Sequence, residues 1–160
     1  MRQDPDRLAK LRQCLILDSS PEQAYDDLAR LLATGWDVPI TMINLLDTQR
    51  DWFKAGVGMP APESPADTSI CEVFFHSASD LLVVADTTQD PLFARHPLVL
   101  NPPHVRFYAA ARLVVDGQTL GTLCAYDLRP RTISAEQMEQ MRLLAAAAVA
   151  LLTERLHGRA

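Results

Sequence analysis

Cys71 is the residue whose setting most favours chemistry. It lies in Ser69-Ile70-Cys71-Glu72, where Ser69 and Glu72 have the spacing of a helix capping box that puts Cys71 in the first turn. A thiol there sees the positive end of the helix dipole, which lowers its pKa and favours a thiolate able to attack or to sense oxidants. The competing reading is a small buried side chain, since cysteine is among the most buried residue types. That second reading suits Cys124 on an apolar strand run, expected to face the same way as Leu120, Thr122 and Tyr126, and Cys14 on a helix. A second set, Asp86, Asp90, His96, Arg106 and Tyr108, is the mixture that orients a small polar ligand among Trp52, Phe53, Phe74, Phe93 and Phe107. Each of these polar residues also has a loop-holding role. Asp86 and Asp90 suit turn and helix caps, and Arg106 suits an ion pair with either. Ser69, Cys71 and Cys124 complete the candidate ligand-facing set. His76, His96 and His104 lack metal-ligand spacing, so their convergence with Cys71 on a metal or haem is the weaker reading and no metal is assigned.

The 160 residues, 48% apolar and 22% charged, fit one domain with a substantial core, spanning 1–160. A formal charge of −5 with scattered basic residues gives no electrostatic footprint for nucleic acid or an anionic membrane. The N-terminus has no apolar signal segment, and the run Leu143 to Leu152 falls short of the roughly 20 residues that span a bilayer. Three cysteines without C-x-x-C spacing argue against a disulfide framework or structural zinc site and fit a reducing, cytoplasmic compartment.

The elements that must position these residues follow from periodicity and punctuation. Asp4-Pro5 starts a helix that ends near Leu17, within an N-terminal segment 1–17. Ser20-Pro21-Glu22-Gln23 reads as a capping box for a second helix, with one apolar stripe, ending at Gly35. Pro39 to Asp47 and Asp51 to Val57 form a hairpin, and Gly56 to Pro65, with two glycines and three prolines, reads as an ordered irregular loop suited to a lid. A short helix through Phe75 and a strand Leu81 to Ala85 follow. The segment Asp86 to Pro103 is irregular and longer than loops usually are in a compact domain, apart from one capped turn at Asp90-Pro91. Arg106 to Val115 and Thr119 to Tyr126 flank Asp116-Gly117, a pair suited to a tight turn at positive φ, and both runs are apolar on both faces. Ser134 and Gln137 cap a final helix from about Ala135 to His157, within 133–158, whose middle is apolar all round and needs a second cover, most simply a partner helix.

Several segments in this order resemble GAF domains. They are Ile16-Leu17-Asp18 before Ser-Pro-Glu, Val38-Pro39-Ile40, Trp52-Phe53-Lys54 with Gly56-Val57-Gly58, Ser69-Ile70-Cys71, Val84-Ala85-Asp86 with Asp90-Pro91-x-Phe93, and Pro102-Pro103-His104-Val105-Arg106-Phe107-Tyr108. The set is similar to the subgroup attached to bacterial histidine kinases, diguanylate cyclases and phosphodiesterases. The resemblance implies an α+β, profilin/PAS-like fold: a five- to six-stranded antiparallel sheet, terminal helices on one face, loops and short helices roofing a ligand pocket on the other. Gly56 to Phe75 and Asp86 to Arg106 would be that roof. It further implies a non-catalytic sensory module, a homodimer joined through Leu144, Ala148, Leu151 and Leu152, and an output partner of the kinase, cyclase or phosphodiesterase kind. The glycine-flanked cysteine segment of GAF-fold methionine sulfoxide reductases, the Asn-Lys-x-Phe-Asp-Glu signature of cyclic-nucleotide binders and a bilin-type cysteine-histidine pair have no counterpart. The ligand and any cofactor therefore stay unidentified. A thiol enzyme or redox sensor using Cys71 and a ligand-free docking module are the alternatives.

Overall fold

Asp116 and Gly117 sit at φ 50° and 80°, the left-handed pair that a two-residue hairpin turn requires. The turn joins β5 (Phe107–Val115) to β6 (Gln118–Asp127). In this computed structural model, which describes residues 1–58 and 61–158, the other strands are β1 (Ile40–Leu46), β2 (Arg50–Val57), β3 (Glu63–Pro65) and β4 (Leu81–Val84). They form one antiparallel sheet in the order β3-β2-β1-β6-β5-β4. The hairpin's β6 is central and buried on both faces over most of its length, as its two-sided apolar sequence requires.

Helices α1 (Pro5–Gln13), α2 (Gln23–Trp36) and α4 (Ala135–His157) pack on one face. Their core includes Leu11, Tyr25, Leu32, Trp36, Ile43, Leu113, Leu123 and Met141. Trp36 meets the edge of Phe107 at 6.3 Å between ring centroids, and its Nε1 donates to the Gln137 carbonyl, tying α2 to α4. The Ser134–Gln137 capping box forms as the sequence requires. The opposite face carries the 3₁₀ turns Ala66–Thr68, Ile70–Phe75 and Thr87–Gln89 and the short α3 (Pro97–Leu100).

Local expectations give way where a side chain has a better distant partner. The Ser20 capping box does not form: α2 begins at Gln23, and Glu22 stands at the N-cap position, where its carboxylate ion-pairs Lys54 at 2.6 Å and Arg155 at 2.7 Å. The helix also runs past Gly35 to Trp36, closing on Asp37 in the left-handed conformation. The first helix stops at Gln13, because Leu15 at φ 54° turns the chain away. Ser69 does not cap its 3₁₀ turn, since its hydroxyl is taken by Asp51. Gly56 to Pro65 is less irregular than its composition implies, β2 reaching Val57 and β3 adding an edge strand; Met59 and Pro60, at the centre of the expected lid, lie outside the described residues.

Two bulges decide which residues share a face. Lys54 is the extra residue of β2 opposite Ile43-Asn44, and Leu120 the extra residue of β6 opposite Leu113-Val114. Leu120 therefore turns to the helix core, away from Thr122, Cys124 and Tyr126, correcting the expected alignment. On α4, Ala148 and Leu152 are fully buried in the chain's own core, and Leu144 and Leu151 pack against its margin. The helix is thus covered on that side by its own sheet and α2, which removes Ala148 and Leu152 from any interface with a second copy. Leu143, 63% exposed, is the large apolar side chain that α4 leaves bare among the described residues.

Candidate functional site

The roof-side face of the sheet is built from β1, β2, β5 and β6, alternate residues of which point away from the helices. Met42, Asn44 and Leu46 of β1, Asp51 and Phe53 of β2, Tyr108 and Ala110 of β5, and Thr122, Cys124 and Tyr126 of β6 form its floor. A Cβ on Gly121 would collide with the Asn44 carbonyl oxygen, so glycine is required where β6 passes the strand that carries this floor.

Half of the roof is solidly packed. Ile70, Cys71, Phe74, Phe93 and Val105 close on Tyr108, Cys124 and Val84 as a second core. Within it the Cys71 thiol lies 3.1 Å from the Tyr108 hydroxyl and 3.1 Å from Thr122 Oγ1. A hydrogen bond from Cys124, with others from Thr122 and Tyr108, holds Cys71 below the usual thiol range against the cost of burial. Burial pushes Cys124, Tyr108 and Tyr126 well up. All three cysteines are buried, Cys71 and Cys124 with no exposed surface, so the set is an interior polar cluster with no path for a bulky reactant. Among the described residues, no group of three or more His, Cys, Asp or Glu side chains could hold a metal ion.

The other half leaves a cavity of about 180 Å³. Its floor is Ile40, Met42, Asn44, Asp51, Phe53 and Tyr126; Ala61, Glu63, Ser64, Thr68, Ser69 and Ile70 enter from the first roof segment, and Leu98, Pro103 and Val105 from the second. Its polar corner is a buried network. Asn44 Nδ2 donates to Asp51 Oδ2 at 3.1 Å, Ser69 Oγ donates to the same oxygen, and Arg2 Nη1 sits 3.0 Å from Asp51 Oδ1. Burial pushes the Asp51 carboxyl up, opposed by Ser69, Arg2 and Asn44. Arg2 also donates to Glu72 and to the Asp47 carbonyl and lies over the Phe75 ring, so the N-terminal segment is fastened to the roof. A wider groove of about 750 Å³ runs outside the roof, past Arg2, Glu72, Leu92, Phe93 and His96. It is the larger space, lined mostly by the roof and the N-terminal segment, with Leu82 of β4 reaching it from the sheet.

The residues singled out from sequence are divided among these places. Phe53 and Ser69 line the cavity. Cys71, Phe74, Phe93, Tyr108 and Cys124 belong to the packed half beside it. Trp52 and Phe107 are on the helix face, a correction that follows from strand geometry, because neighbours such as Trp52-Phe53 and Phe107-Tyr108 point to opposite sides. Asp86, Asp90, His96 and Arg106 are outside the cavity and hold the loop. Asp86 accepts from the Thr88 backbone and pairs with Arg106 at 3.0 Å, Asp90 caps the turn at Leu92, and His96 Nδ1 caps α3. The Arg106 hydrogen bond holds Asp86 down to about 2, while burial lowers His96. Asn44, Asp51 and Tyr126 were not singled out. The signal for Asn44 was present as the only amide in the apolar run Pro39 to Leu46.

A six-stranded antiparallel sheet, clad by its terminal helices and roofed by irregular chain over a small cavity, is the build of a sensory and regulatory fold of signalling proteins. The chain belongs to the GAF domain family, whose model matches residues 7–152. It is 33% identical over 132 residues to the cyclic di-GMP phosphodiesterase PA2567 of Pseudomonas aeruginosa, which covers 82% of this chain but only 22% of that protein. The chain thus spans about a fifth of that relative's length. Among solved structures, the GAF domain of an Acinetobacter phosphoenolpyruvate-protein phosphotransferase superposes with a TM-score of 0.67 at 16% identity, covering 95% of each chain. The type II free methionine-R-sulfoxide reductase of Thermoplasma acidophilum superposes with a TM-score of 0.63 at 14% identity, covering 82% of this chain and 94% of its own. At such identities these likenesses establish the fold alone. No helix among the described residues is long and apolar enough to cross a membrane.

Proposed function

We propose that the chain is a non-catalytic sensory module that binds a small molecule between sheet and roof and passes the change to an output partner. The observation that carries this reading is the cavity of about 180 Å³, walled by both roof segments and floored by the sheet of a GAF-family chain. Binding there favours roof conformations that close on the ligand, a population shift that biases whatever the roof touches. Arg2 links Asp51 in the cavity wall to the N-terminal segment, so the route outward includes that segment as well as α4. Likeness to a cyclic di-GMP phosphodiesterase supports an output partner in bacterial cyclic di-GMP signalling. A homodimer remains part of the proposal, with Leu143 on α4 and Leu31 on α2 as its apolar contacts because both are over half exposed.

Two experiments test it. A thermal-shift survey of nucleotides, amino acids and aromatic metabolites is expected to give stabilisation that Phe53→Trp, which fills the cavity, abolishes. Stabilisation that survives this substitution, or none with any compound, overturns the small-molecule reading. Sedimentation of Leu143→Glu is expected to show a monomer where the parent is a dimer; a monomeric parent removes the dimer.

A further inference from the structure

Leu98 lines the sheet-side cavity from α3, a helix of only four residues. So short a helix has too few internal hydrogen bonds to persist alone, and a histidine stands at each of its ends. At the first, the Leu98 amide donates to His96 Nδ1 at 3.1 Å; at the other, His104 Nδ1 lies 3.2 Å from the Val99 carbonyl oxygen. These contacts ask opposite things of the two rings. A carbonyl accepts, so a protonated His104 keeps its bond. An amide N–H donates, so His96 keeps its bond only while Nδ1 carries a lone pair, which requires a neutral ring with its proton on Nε2.

His96 also joins the two roof segments, through a hydrogen bond with the backbone of Ser69, another residue of the cavity wall. Burial disfavours the charged imidazole and lowers its pKa from 6.5, against the opposing effect of Ser69. The ring is half-buried in the outer groove, where protons reach it. The charged and titratable groups around it are Arg2 of the N-terminal segment, Asp67, Glu72 and His76 of the first roof segment, and Arg95 and His104 of its own. Glu72 is engaged by Arg2 and His76, and among the described residues no carboxylate pairs with His96. A proton placed on this ring therefore gains no counter-charge and ends the bond to Leu98.

We propose that His96 is a pH-operated catch on the roof: the neutral ring caps α3 and holds Leu98 in the cavity wall, and the protonated ring releases the Leu98 amide and frees α3. The catch is closed above pH 6.5 and opens as the pH falls through the lower value of the folded protein. Its consequence for binding, weaker retention of a cavity ligand in acid, rests on the small-molecule reading above. The catch itself belongs to the ligand-free chain.

The test follows the Leu98 amide and the histidine rings of the whole ligand-free chain by NMR from about pH 7.5 to about pH 4.5. The Leu98 amide is expected to move with the midpoint of the His96 ring, below 6.5, and not with that of His104. Its protection factor, corrected for the intrinsic pH dependence of exchange, should fall about fivefold across that midpoint, the share of one N-cap hydrogen bond. His96→Asn supplies a cap that does not titrate, so the amide should then stay in place and protected throughout. A Leu98 amide indifferent to the His96 titration, or one that still moves in His96→Asn while the other histidines titrate, overturns the catch. The titration of the unmodified protein decides the matter even where the variant does not fold. A catch that operates in a chain that retains no compound at either pH stands, and the small-molecule reading alone fails.

Discussion

The two faces of the sheet are held by different physics. On the helix face, three long helices present apolar stripes to an apolar layer, and contact is made by burial of Trp36, Phe107, Leu113 and Met141. On the roof face, one half closes as a second apolar core, while the half over the cavity is fastened by individual polar bonds over long sequence separations, Arg2 to Asp51 and Glu72 and Ser69 to Asp51. A face closed by continuous packing has little room for a guest. A face closed by a few directed bonds leaves space between them, and there the cavity lies.

The comparison breaks most sharply if a substitution on one face is felt on the other. Phe107→Ala deletes a fully buried ring from the helix face and should cost about 3–5 kcal/mol in chemical denaturation, leaving the affinity of a cavity-bound compound unchanged. A small cost, or lost binding, contradicts the division. On the roof face, Arg2→Met leaves Asp51 buried without its cation and should cost about 3 kcal/mol near neutral pH. Because burial already raises the Asp51 carboxyl, the deficit should shrink as the pH falls and Asp51 takes up a proton. A deficit independent of pH removes Asp51 from the explanation.

The Asp86–Arg106 pair sharpens the same contrast more gently. Arg106 depresses Asp86 in the folded chain from 3.8 to about 2, so between these values the unfolded chain binds more protons and stability rises with pH. The contribution of the pair is complete above pH 3.8 and fades toward pH 2. Asp86→Asn should flatten that limb of the stability curve; an unaltered limb shows that the pair does not act. The least disturbance is expected from thiol reagents: Cys14, Cys71 and Cys124 should label only at the rate of unfolding, since all three are buried. Fast labelling of Cys71 in the folded protein would restore the redox reading.

What was legible in the sequence divides along the same line. The hairpin at Asp116-Gly117, the capped α4 and the apolar stripe of α2 are local patterns, and the structure keeps them. The roof segments were also locatable, since glycine, proline and long irregular spacing mark them. The contents of the site were not, because each depends on a partner far along the chain. Ser69 has helix-capping spacing until Asp51 takes its hydroxyl, and Leu120 keeps strand alternation until a bulge turns it. Trp52 and Phe107 were misplaced for a simpler reason: strand alternation allows only one of each neighbouring aromatic pair to face the roof.

The decisive measurement is a map of backbone amide shifts in the ¹⁵N-labelled chain as the most stabilising compound of the thermal-shift survey is added. Shifts should concentrate at Ile40, Met42, Asn44, Phe53 and Tyr126, with the helix-face residues Leu113 and Met141 still. Shifts confined to Leu92 and His96 would move the binding site to the outer groove and contradict a guest between sheet and roof.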